Sequence, residues 1–588
     1  MSLELLCYPT FFIALSREEP SMTLNGGTYD TFPSYPVQEE CLAQGYEELG
    51  LRIQASGTRF WTIDGMSGLD WETLISGLTT VLVNMKIAVF DITEARKPPQ
   101  DVSLLLADYL DNQDAVFAKL YPGDLVDFFK KDALQQIHEE IKRSAEGVDL
   151  VICFGQGSAL LDLEGGLIWV DLPKEIITNF ALGKERELLG APPYAPVKSM
   201  YWVDWPVMRR HKAALLPKMD LFLDVTDPHL PVLIEGERLR VELAALARRP
   251  FRVKPVFYPG AWGGQWMKQH MDLDHSKPNY AWSYELITPE NGVIFRDGDL
   301  HLEVPFEMLM AQEALQIQGP HVMPLFGDHF PIRFNYDDTI EGGNLSCQVH
   351  PQKAYMTREF GPTYAQDETY YILRPGEGGL CYLGLKEGIQ SDVFRGKAER
   401  ARDEGVAFDI EEFVNAWPTR VHDIYLIPAG TVHCSGANNV VLEMSATLYL
   451  YTFKIYDYLR RDLKGNFRPI HIERAWDNID FTRTTKWVRR NLIPSPEILR
   501  AGEGWTEYRI CDHPLMFFGI NRVEFSQVYA DDTERERFHV INLVEGARAL
   551  VEWEGGSHPL HYAETMVIPA ATGAYRVRNE SEGICKIV

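Results

Sequence analysis

No apolar run in the 588-residue chain reaches the ~18 to 20 residues that a membrane-crossing helix needs. Paired cysteines are also missing. The eight cysteines (Cys7, Cys41, Cys153, Cys347, Cys381, Cys434, Cys511, Cys585) are scattered without a CxxC, too sparse for a disulfide scaffold. A reducing, cytoplasmic setting is expected, with each cysteine acting as a small buried apolar group. Positive charge is scarce: 57 Lys and Arg stand against 84 Asp and Glu, a net charge of −27. Such a chain repels phosphate backbones, which excludes nucleic acid as the main partner but not a small anion held in one basic pocket. Internal repeats and low-complexity segments are absent. The apolar stretch 3–15 has no basic residue before it and is interrupted by Pro9, unlike a secretory signal. Residues 1–21 are expected to be an upstream extension of a chain that effectively begins near Met22. What is present is ordinary globular composition, 45 % hydrophobic and 24 % charged, in a length that suggests two to four domains.

After an N-terminal extension (1–50), residues 51–250 have an α/β texture. Residues 59–64 (RFWTID), 86–92 (KIAVFDI), 149–154 (DLVICF) and 167–170 are expected strands; 71–85 and 124–144 have helical periodicity. Alternating strands and helices predict a parallel sheet covered on both faces. Between the first strand and helix stands IDGMSGLDWET. It keeps Gly65 and Gly68 but has Asp70, Trp71 and Glu72 where a phosphate-binding loop wants Gly, Lys and Ser/Thr. The segment 59–180 resembles the uridine-kinase and phosphoribulokinase branch of P-loop kinases, which implies a degenerate kinase-like domain serving packing or assembly.

Residues 251–495 and 496–588 change to short β-rich runs broken by Gly, Pro and Asn, expected for sandwich or barrel domains with inserted helices near 305–316 and 391–402. In GGNLSCQVHP (342–351), Gln348 and His350 are two apart on an expected strand and face the same way. Glu368 opens the strand DETYYIL, and IPAGTVH (427–433) places His433 after a tight turn. Two imidazoles, a carboxylate and an amide oxygen form a mixed N/O site that suits zinc with one position open. His329, His422, His471 and His539 are expected to be structural.

The spacing resembles the cupin metal site, and more specifically type I phosphomannose isomerase. LSCQVHP, DETYYIL, IPAGTVHCSG and FKIYDY carry the resemblance, with GAWGG, YEL and HFPI fitting its first half. The resemblance runs from about 255 to 480 and more weakly to the C-terminus. It implies Gln348, His350, Glu368 and His433 as ligands of one Zn2+ per chain. It implies Glu443 as acid/base and, with Lys454, as catalytic. Ser346, Arg333 and Lys454 are expected to hold the phosphate. Two positions depart: Lys454 replaces the family's Arg, and Asn335 replaces a Lys whose charge Arg333 can supply from the same strand face. The expected activity is zinc-dependent aldose–ketose isomerisation of a small phosphorylated sugar, mannose 6-phosphate and fructose 6-phosphate, through an enediol. The alternatives are a non-catalytic sugar-phosphate sensor or assembly protein, and an oxygen-using iron cupin, which the Gln ligand disfavours.

Overall fold

A computed structural model describes residues 29–110, 114, 116–183, 188–189, 196–446 and 451–588. The apolar stretch 3–15 and the expected start near Met22 lie outside the described residues. The chain divides into two compact units, one comprising Pro33–Ala247 and Pro289–Ala314, the other Arg248–Thr288 and Leu315–Val588 with the residues just before Pro33. No helix of the described residues is long and apolar enough to cross a membrane.

In the first unit the runs FWTIDG, IAVFD, LVICF, GLIWVD and LFLD are nearly continuous in apolar residues, the pattern of strands covered on both faces. They form a parallel core in the order Ile87–Asp91, Leu150–Phe154, Phe60–Gly65, Gly166–Asp171, Leu221–Asp224, which two short antiparallel strands, Val232–Glu235 and Leu42–Gln44, extend. The helix Trp71–Val81 begins where Asp70 accepts a hydrogen bond from Thr73 N (3.1 Å), and it buries Leu74 and Leu78. It stops short of the expected residue 85, because Leu82 leaves helical geometry and its N–H bonds Thr79 O.

The helix expected over 124–144 is also shorter. Asp124 and Asp127 cap a 3-10 turn, Leu125–Phe128, and an extended Phe129 bridges to Arg96 before Lys131–Ser144 turns helical. Burial of Phe128 and Phe129 outweighs the helical periodicity there.

The second unit is built from antiparallel sheets. One has six strands, in the order Ile424–Ile427, Asp367–Pro375, Asn439–Ala446, Arg333–Asp338, Trp282–Leu286, Val256–Tyr258. Another has five: Val414–Pro418, Leu380–Leu385, His433–Ser435, Cys347–Val349, Phe453–Tyr456. After Arg248, the chain pairs first at an isolated Phe251 bridge to Val567 and then over Val256–Tyr258. Beyond residue 496, a six-stranded and a four-stranded sheet enclose Val523, Phe525, Leu543, Val551, Leu560 and Met566. Burying each such side chain contributes about 1.5–3 kcal/mol before chain entropy is subtracted.

Candidate metal centre

Antiparallel register aligns the first donors. Gln348 pairs directly with His433 on one side and with Lys454 on the other, so all three side chains leave the five-stranded sheet on one face. His350 follows immediately after the strand Cys347–Val349. The turn before His433 is held in several ways. Gly430 has a φ of 90°, its N–H bonds His350 O, and Arg483 donates to the carbonyls of Pro428 and Ala429. Glu368 comes from the six-stranded sheet, so the two sheets meet face to face here.

One ligand atom each of His350, Glu368 and His433 lies within 4.8 Å of the others, and all three residues are buried. His350 Nε2 is 2.6 Å from Glu368 Oε2, and His433 Nε2 is 3.6 Å from Oε1. The Gln348 amide ends 3.4 Å from His433 Nε2. Its oxygen and nitrogen interchange by rotation, and the oxygen is the atom a cation takes. His350 Nδ1 faces Tyr451 O (3.0 Å) and His433 Nδ1 faces Thr431 O (2.9 Å). A carbonyl only accepts, so both Nδ1 atoms carry hydrogen and both Nε2 lone pairs turn inward. His350 Nε2 and Glu368 Oε1 find no hydrogen-bond partner among the described residues. These donors therefore fit a divalent cation.

Burial pushes His350 down, but the adjacent Glu368 carboxylate reverses this and holds it above the usual imidazole range. Burial keeps His433 below that range. Burial would raise Glu368, but the two imidazoles hold it well below.

The six-stranded sheet supplies the rest of the pocket wall. Register pairs Arg333 and Glu368 with Ser445, and Asn335 and Tyr370 with Glu443. All of these share the face of Glu368. Glu443 accepts from Asn335 Nδ2 (3.1 Å) and Ser445 Oγ (2.9 Å). Burial and the Glu368 charge push Glu443 up to about 7, against Arg333, Asn335 and Ser445. Arg333 is buried and its Nε has no hydrogen-bond partner among the described residues. Ser346 is buried two residues before Gln348. Elsewhere, His422 links the Tyr371 hydroxyl to Glu545, and His539 meets the Tyr575 hydroxyl.

Three pocket residues are not among those expected from the sequence. Gln366 donates to Glu368 Oε2 (3.3 Å) and accepts from Tyr451 N (3.0 Å), tying a ligand to the residue whose carbonyl orients His350. Tyr370 brings a buried hydroxyl without a partner among the described residues. Asp337 is buried on the same strand face as Arg333 and Asn335. The signal for it is a polar stripe of period two, Arg333, Asn335, Asp337, alternating with Phe334 and Tyr336.

Residues 45–248 match a family described as "Domain of unknown function (DUF8485)". The chain is 25 % identical over 232 residues to mannose-6-phosphate isomerase of Streptococcus mutans, covering 39 % of this chain and 67 % of that protein. It is 21 % identical over 345 residues to mannose-6-phosphate isomerase ManA of Bacillus subtilis, covering 58 % and 99 %. Among solved structures, the crystal structure of the mannose 6-phosphate isomerase from Bacillus subtilis aligns with a TM-score of 0.45 at 18 % identity, covering 58 % and 99 %. Over its C-terminal part, about 58 % of its length, the chain is homologous to mannose-6-phosphate isomerases.

Proposed function

We propose that the chain is a zinc-dependent aldose–ketose isomerase that interconverts mannose 6-phosphate and fructose 6-phosphate. The carrying observation is the His350, Glu368 and His433 cluster, whose inward Nε2 atoms are fixed by backbone carbonyls and whose fourth neighbour is the Gln348 amide. Two imidazoles with oxygen donors suit zinc, and the C-terminal homology agrees with that use. When bound, the ion would polarise sugar oxygens and stabilise charge on them. Arg333, Ser346 and Lys454 supply positive charge and donors for the phosphate. Glu443, raised by burial to about 7, can hold the proton that passes between neighbouring carbons by way of an enediol.

The first unit is read as a degenerate kinase-like domain. In support, the Gly65–Gly68 turn links a central parallel strand to the helix capped by Asp70. The N–H groups of Gly157 and Ala159, which a phosphate could use, are taken by Asp64 at 2.8 and 2.9 Å.

The test is metal analysis of the purified full-length chain, followed by a coupled isomerase assay on fructose 6-phosphate. Turnover is expected to vanish with a chelator and return with zinc. Gln348→Ala is expected to lower metal occupancy, and Lys454→Ala to raise KM. Metal-replete protein that converts no hexose phosphate overturns the reading, and sugar-phosphate binding without turnover points to a sensor.

A further inference from the structure

Gln366 closes a ring of contacts around two of the expected ligands. It is buried, and it stands immediately before the strand Asp367–Pro375, two residues ahead of Glu368. Its neighbours allow the amide one orientation. Tyr451 N can only donate, and it lies 3.0 Å from Gln366 Oε1. Nε2 is thereby turned to Glu368 Oε2, an acceptor, at 3.3 Å. Tyr451 O in turn accepts from His350 Nδ1 at 3.0 Å, and His350 Nε2 lies 2.6 Å from the same Oε2. Gln366, Glu368, His350 and Tyr451 thus fix one another.

The ring gives the two Glu368 oxygens different tasks. Oε2 is held by Gln366 and His350. Oε1 has no hydrogen-bond partner among the described residues and faces His433 Nε2 at 3.6 Å. A carboxylate free at both oxygens can turn and offer either or both to a cation, whereas one tethered at Oε2 offers Oε1. The same tether reaches His350 through a backbone carbonyl, so loss of one amide loosens two ligands. An amide suits the position, because it donates and accepts at once and adds no charge beside an ion. A carboxylate there could not donate, and an apolar side chain would leave the buried Tyr451 N–H without this acceptor.

We propose that Gln366 is a positioning residue of the metal centre, which holds Glu368 so that it meets the ion through Oε1 alone and, by way of Tyr451, keeps His350 Nε2 turned inward. The inference rests on the metal centre of the proposed function and does not depend on the substrate.

Metal titrations of the full chain test this without any assay of turnover. Zinc affinity is read by competition with a chromophoric chelator. The coordination of cobalt(II), loaded in place of zinc, is read from its visible d–d bands. Gln366→Met, close in volume but without the amide, is expected to bind zinc ~10- to 100-fold more weakly, the usual effect of removing a group that orients a ligand, and to shift the cobalt bands at full loading. A weakened fold alone would lower the loaded fraction and leave the bands of the loaded protein unchanged. Wild-type affinity or wild-type bands in Gln366→Met therefore overturns the proposal. The second measurement is made on wild type. In its zinc-minus-apo infrared difference spectrum, the carboxylate stretches that respond to zinc and vanish in Glu368→Gln are expected to be widely split, the mark of binding through one oxygen. A narrow splitting means that both oxygens bind, and the proposal fails. Wild-type chain that binds no zinc, or binds it as tightly after His433→Ala, overturns the metal centre and this inference with it, a different failure from a centre that binds zinc and ignores Gln366→Met.

Discussion

Each unit buries a cluster of charge, and the two clusters are built to opposite rules. In the first unit Lys212 lies 3.0 Å from Asp171 and 2.8 Å from Glu307, with Lys174 3.3 Å from Glu307 and stacked over Trp205. Burial pushes Glu307 up, and Lys174 and Lys212 more than reverse it, to about 2. Asp64 is filled by N–H groups of Gly65, Gly157 and Ala159 and by His211. In the second unit His350 Nε2, Glu368 Oε1, Arg333 Nε, Tyr370 Oη and both Asp337 oxygens are buried without a hydrogen-bond partner among the described residues. Lys174 Nζ and Glu307 Oε1 also lack a hydrogen-bond partner among the described residues, but each faces an opposite charge, and charges so neutralised are costly to break. Donors held inward and left open cost stability and make a site.

The comparison breaks most readily at Lys212. Lys212→Met keeps the volume but leaves Asp171 and Glu307 without this shared cation. The expected loss is about 3–5 kcal/mol of unfolding free energy, the usual result of removing one partner from a buried ion pair. His433→Ala in metal-free protein is expected to cost much less, because it removes a group the fold leaves open. Urea unfolding of both variants checks this. A Lys212→Met that unfolds like wild type means that the first cluster is not closed by charge.

Much of the open cluster was legible in the chain itself. Strand pairing joins Gln348 to His433 after Pro428-x-Gly430, His350 follows the same strand, and Glu368 enters from the facing sheet, each within a short motif whose spacing carried the information. The parallel core was legible for the same reason, as apolar runs of strand length. The closed cluster was not. Glu307 is far along the chain from Asp171 and Lys212, and a lone Glu opening a helix looks solvated until the fold buries it. Asp337 escaped notice because Asp338 beside it hides the alternation that marks a face, although Asp338 turns away to bond Met267 N.

A second closed network, inside the unit that carries the site, sharpens the comparison. Glu285 accepts from Tyr29 (2.6 Å) and Ser283, while Arg252 pairs with Glu564 at 2.7 Å. Burial raises Glu285 to about 7 from an ordinary 4.5, although Arg252, Ser283 and Tyr29 oppose it. The folded state thus binds this proton more tightly than the unfolded chain. Its contribution is complete below pH 4.5 and is lost as pH rises to about 7. Glu285→Gln mimics the neutral acid, so its unfolding free energy relative to wild type is expected to climb across that window, by at most about 3 kcal/mol, then level off. Denaturant titrations at a series of pH values measure it. A difference that is flat or falls with pH shows that Glu285 is ionised in the folded protein.

The smallest expected effect tests whether Arg333 belongs to the open cluster or only balances charge within it. If its guanidinium anchors the phosphate, Arg333→Leu loses charge-assisted hydrogen bonds of about 1.5–3 kcal/mol, and KM rises ~10- to 100-fold while kcat changes little. Inorganic phosphate should then lose affinity as an inhibitor by a similar factor, and Arg333→Lys, which keeps the charge but not the planar fork, should recover only part of it. If Arg333 instead steadies Glu443, the loss appears in kcat and in its pH dependence, and phosphate inhibition is unchanged. The second pattern would place Arg333 with Lys212, as a cation whose work is done inside the protein, and would leave Lys454 to carry the phosphate.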